Sequence, residues 1–130
     1  MARTLTVLSN IAVTVDAATE IDSDIFQIGP AGTDMVAEVT ERPLRLVCVV
    51  GTDQDGTLTV WEAAQRADLP LPGAAAVPLS LRETIFPYLA SPSAQVFVVE
   101  NLALPFIRIR YVNGGNDTGE FRLYCAAHFD

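Results

Sequence analysis

The stretch FIRIRYVNGGNDTGEFRLYCAAHF, from Phe106 to Phe129, decides the fold class. Phe106 to Val112 and Glu120 to His128 alternate, with Ile107, Ile109, Phe121 and Leu123 on one face and Arg108, Arg110, Glu120 and Arg122 on the other, the period of a strand with one face buried. Asn113-Gly114-Gly115-Asn116-Asp117 between them is rich in turn formers. Read as a hairpin centred on Gly115, the segment pairs Ile109 with Phe121 and Ile107 with Leu123 on a core face. The same register sets Arg110 opposite Glu120 and Arg108 opposite Arg122 on the outer face. A slip of one residue would drive charge into the core, so the alternation specifies the register.

The same signal recurs toward the N-terminus. Leu44, Leu46, Cys48 and Val50 share one face, while Val47 and Val49 make the other face apolar too, which predicts a central or covered strand. Asp53-Gln54-Asp55-Gly56 leads from it into Thr57 to Trp61, read as a second hairpin. Leu5 to Leu8, Ile11 to Val15, Ile25 to Ile28, Met35 to Thr40 and Ala94 to Glu100 are further predicted strands. Between Leu69 and Ser93 the pattern breaks at Pro70, Pro72, Pro78, Pro87 and Pro92. This reads as one long Pro-rich excursion with a helical turn around Leu81 to Ile85, of a length usually reserved for function or a neighbour. About eight short strands and no long helix predict an all-β chain, a single β-sandwich domain over 1–130, jelly-roll-like in its wrapping.

Composition narrows the function. Half of the 130 residues are apolar, ample for one core. No apolar run approaches the roughly 18–20 residues that span a bilayer, so no membrane partner is expected. The first ten residues lack a basic head followed by an apolar run, so no secretory signal is expected and synthesis in a cytoplasm is. Net charge is −8, from 16 acidic residues against 8 basic ones, which disfavours nucleic acid as a partner. Cys48 and Cys125 read as two buried reduced thiols, with an inter-sheet disulfide as the alternative.

Candidate chemistry is sparse. His128 is the only histidine, and no Gly-x-Ser-x-Gly motif accompanies it, so no catalytic residue is assigned. Asp53-Gln54-Asp55-Gly56 resembles the start of a calcium loop, but Ala64 stands where the twelfth-position Glu would be, and hairpin chemistry explains the segment. Glu20, Asp22 and Asp24 read as a solvated acidic loop. No metal or cofactor is expected. The remaining candidates are partner-binding: an outer-face patch of Arg108, Arg110 and Arg122, and the apolar residues Val47, Val49, Leu69 and Leu71. Facing arginines would repel unless a carboxylate bridges them.

Taken in order, TLTVLSNIAVTVDAATEIDSDIFQIG, LRLVCVV, DGTLTVWEAA and the closing FIRIRYVNGGNDTGEFRLYCAAHF resemble the small cement or decoration proteins of tailed-bacteriophage capsids. The resemblance implies a jelly-roll-like subunit on the outer capsid surface, binding the major capsid protein and bridging its subunits. It also implies a homo-oligomer, a trimer or dimer, located in the virion. The alternatives are a tail or head-fibre component, and a carbohydrate-binding module that uses Trp61 as a stacking platform.

Overall fold

Alternation puts a residue on a face, but hydrogen bonding decides which strands share a sheet. In a computed structural model the described residues are 3–12, 15–27, 43–71, 73–74, 81–100, 102 and 104–129. They form β1 (Arg3–Ala12), β2 (Glu20–Asp22), β3 (Phe26–Gln27), β4 (Pro43–Thr52), β5 (Gly56–Ala63), β6 (Leu81–Tyr88), β7 (Gln95–Glu100), β8 (Phe106–Asn113) and β9 (Phe121–Phe129). One sheet has the order β1-β9-β4-β7, the other β2-β8-β5-β6, with β3 on the far side of β8 from β5. All pairings are antiparallel.

Setting aside the two-residue β3, the pairs β1·β9, β2·β8, β4·β7 and β5·β6 are nested one inside the next. The chain is one long two-stranded ribbon, rolled so that β9 meets β4 and β8 meets β5. That wrapping is the jelly roll, and the predicted all-β sandwich holds. Its consequence is topological. Only the innermost pair, β5 and β6, are successive paired strands.

Both expected hairpins are therefore corrected. β8 and β9 lie in different sheets, as do β4 and β5. Ile109 pairs with Val60, and Phe121 with Thr52 and Ala12. The Asn113 turn instead pins the loop after β1. The Asn113 amide Nδ2 lies 3.0, 3.0 and 2.8 Å from the carbonyls of Val15, Asp16 and Asn116. Thr118 Oγ1 accepts from the Val15 N–H at 2.7 Å, and the Thr118 N–H returns the bond to the Val15 carbonyl.

The Pro-rich excursion is also shorter than expected. Residues 81–88 form β6 rather than a helical turn, and Pro87 is accommodated because β6 is a sheet edge. A 3-10 turn at Arg66–Asp68 precedes it. The two segments expected at the N-terminus are the single strand β1 up to Ala12, and the expected strand over Met35 to Thr40 lies outside the described residues.

The core is built by the inward faces. Leu46, Cys48 and Val50 of β4 meet Leu58 and Val60 of β5, Ile107, Ile109 and Tyr111 of β8, and Phe121, Leu123 and Cys125 of β9. As its two-sided sequence suggested, β4 is an interior strand. At one end Tyr88 ties the sheets together: its hydroxyl donates to the Thr52 carbonyl at 2.8 Å and accepts from the Thr52 N–H at 3.1 Å. Cys48 and Cys125 are fully buried, free, and directly opposed on β4 and β9. They share one sheet, so an inter-sheet disulfide is ruled out by topology, and the reduced reading stands.

Candidate functional site

Opposite sheets separate the expected arginine patch. Arg108 and Arg110 project from the outer face of the β2-β8-β5-β6 sheet, and Arg122 from the outer face of the other. Arg108 does not face Arg122; its cross-strand neighbour is Trp61.

Arg110 is a structural rivet, only 7% exposed. Its Nε donates to Asp22 Oδ1 at 2.7 Å, and Glu20 Oε2 stands 3.4 Å away. Nη1 and Nη2 reach the carbonyls of Ala74 and Leu71 at 2.7 and 3.0 Å. The excursion after β5 thus crosses this outer face and is held there by one guanidinium. Beneath it Trp61, Ala63 and Leu69 form a small second core with Ile25, Leu81 and Phe106 at its margin. Leu69 is spent on that packing, whereas Leu71 is 69% exposed.

Burial also removes Trp61 as a sugar platform. Its ring lies under Arg110, and its indole N–H donates to Glu83 Oε2 at 2.7 Å. Arg108 is buried beside it, and its Nε and Nη1 have no hydrogen-bond partner. Glu62, on the inward register of β5, went unnoticed in the sequence. It is fully buried, 3.4 Å from Arg82 Nη1, and accepts from the Leu104 N–H. Spacing offered one signal for it: Glu62 continues the Leu58, Val60 face.

The outer face of the β1-β9-β4-β7 sheet is different. Register aligns Val47 with Ala126 and Val98, and Val49 with Tyr124 and Val96. Val96, Val98 and Tyr124 are 60, 39 and 41% exposed, and Val47 and Val49 are half-buried between them. Isolated exposed aliphatics are ordinary, but contiguous ones mark contact surfaces. The next row holds Gly51 and Arg122. Two open cavities meet there, of about 310 and 250 Å³, sharing Gly51, Ala94 and Arg122.

Elsewhere the acidic candidates serve the fold. Both Asp53 oxygens accept from the Gly119 N–H, at 2.9 and 3.0 Å, and Asp55 Oδ1 accepts from the Ala90 N–H at 2.7 Å. Among the described residues no group of three or more His, Cys, Asp or Glu is placed to hold a metal ion. No described helix is long and apolar enough to cross a membrane. No protein-family model matches the chain, and no curated protein matches it.

Proposed function

We propose that this chain is a structural virion protein, a cement or decoration subunit that binds the outer surface of a tailed-phage capsid and bridges neighbouring major capsid subunits. The observation that carries this reading is the exposed apolar face of the β1-β9-β4-β7 sheet, where Val96 and Val98 flank Val49 and Val47 on one side and Tyr124 flanks Val49 on the other. A rigid sandwich presenting a flat aliphatic face suits holding neighbours together. The resemblance of the sequence to capsid decoration proteins supplies the partner. An apolar surface of this kind also suits self-association, in keeping with a trimer or dimer.

Co-sedimentation with shells assembled from the major capsid protein of the encoding phage tests the proposal. Saturable binding is expected, weakened at least tenfold by Val98→Asp. Wild-type chain left entirely in the supernatant would overturn it.

A further inference from the structure

Arg122 lies across from Gly51 on the central strand β4. Gly51 has no side chain to fill its place in the row, and the far side of that place is Ala94, whose Cβ would stand 3.5 Å from a Cβ built on Gly51. The result is a furrow of about 250 Å³ floored by Gly51 and walled by Val49, Tyr124, Ser9 and Ala94, with Arg122 at its end. Among the described residues lining it, Arg122 is the one that carries charge; Asp53 and Glu120 line the adjoining cavity on the other side of Arg122. The ion pairs of the described residues engage Arg82 and Arg110 but not Arg122, and Arg122 is exposed.

Size and charge together limit the occupant. The furrow of about 250 Å³, on the Val49 and Tyr124 side of the adjoining cavity of about 310 Å³, has room for a side chain. A polyanion is disfavoured, because a single guanidinium on a chain of net charge −8 cannot offset the repulsion. A single carboxylate matches a single guanidinium, through charge-assisted hydrogen bonds. The rows leading to the furrow set its context. Along β4 the Val47, Val49 and Gly51 rows follow at two-residue steps, each about 6.6–6.8 Å. An extended partner strand running along β4 has the same step between side chains on one face.

Building on the docking face proposed above, we infer that this face reads an extended segment of the partner protein with the pattern aliphatic-x-aliphatic-x-Glu, in one chain direction or the other. The aliphatic residues cover the Val47/Val98 and Val49/Val96 rows, and the Glu carboxylate enters the furrow to meet Arg122.

The test is an amide ¹H–¹⁵N titration of the intact chain with two capped peptides, Ac-Val-Thr-Val-Thr-Glu-NH2 and the reversed Ac-Glu-Thr-Val-Thr-Val-NH2. One of them is expected to shift Gly51, Ala94, Val96, Val98 and Arg122. Replacing its Glu by Gln, or Arg122→Gln in the protein, is expected to weaken binding at least tenfold, and raised salt to weaken it as well. The peptide exchange leaves the protein untouched, so it decides the matter even if the variant folds poorly. No shift at this face with either peptide, or equal binding of the Gln form, would overturn the inference. Capsid binding without peptide recognition would remove this inference alone, whereas peptide recognition without capsid binding would remove the capsid reading and leave the furrow's specificity standing.

Discussion

The guanidinium carbon of Arg110 stands 4.7 Å from the centre of the Trp61 ring, on the adjacent strand. Stacking, the Asp22 ion pair and two carbonyl contacts make this arginine the clamp between β2, β8 and the crossing excursion. Arg110→Ala would strip the largely covered Asp22 carboxylate of its counter-charge and uncover Trp61. A loss of about 3 kcal/mol is expected, in the range for breaking one partner of a buried pair. Urea denaturation checks it; a change within about 0.5 kcal/mol, the scale of ordinary surface substitutions, would show that the clamp is idle.

Gly56 opens β5 directly against the Tyr111 side chain and the Val112 carbonyl, and a methyl group there would overlap both. Gly56→Ala is expected to destabilise the fold by roughly 1–3 kcal/mol, the usual cost of forcing atoms into a packed interior. Gly115, with nothing near its missing Cβ, is the control. Thermal melts of the two variants should separate clearly, and equal melting temperatures would contradict the packing described for Tyr111.

The arginines show what was and was not legible in the sequence. Alternation correctly assigned Ile107 and Ile109 to a core face and Arg108 and Arg110 to the outer one. It carried no information on pairing, since a strand with one apolar face fits either sheet equally well. Proximity in sequence suggested a β8/β9 hairpin, yet a nested ribbon separates neighbours in sequence and joins β9 to β1, more than 100 residues away, as in the Thr6–Tyr124 contact. The burial of Arg110 was hidden for the same reason, because its cover comes from Leu71 and Ala74. Val47 and Val49 were legible as a second apolar face because β4 is interior and its faces need no distant cover to be recognised.

Cys48 and Cys125 hydrogen-bond to each other inside the sheet, and that bond together with burial pushes the Cys125 thiol up. The Cys125 sulfur stays protonated at neutral pH, and thiolate is the reactive form. Cys48→Ala is expected to cost on the order of 1 kcal/mol, the loss of one small buried group. Reductant alone should leave the melting temperature unchanged. A drop of many degrees on adding reductant would mean that the sulfurs are bonded.

Tyr111 provides a signature at high pH. Burial, then the neighbouring Tyr88 and Asp55, raises its pKa from 10.0 to about 12. Folding therefore favours the protonated phenol. Its contribution is complete below pH 10 and is lost as pH rises toward 12, amounting to about 3 kcal/mol in all. Tyr111→Phe removes a hydroxyl that has no hydrogen-bond partner, so it should cost little at neutral pH. It should also flatten the stability profile between pH 10 and 12 relative to wild type. Parallel profiles for the two proteins would contradict the burial of the phenol.

The proposed capsid role is tested by a cryo-EM reconstruction of capsid shells saturated with the purified chain. Ordered density is expected on the outer surface, with Val96, Val98, Tyr124 and Arg122 turned toward the major capsid protein. Bare shells, or a chain seated through the opposite face over Leu71, would contradict it.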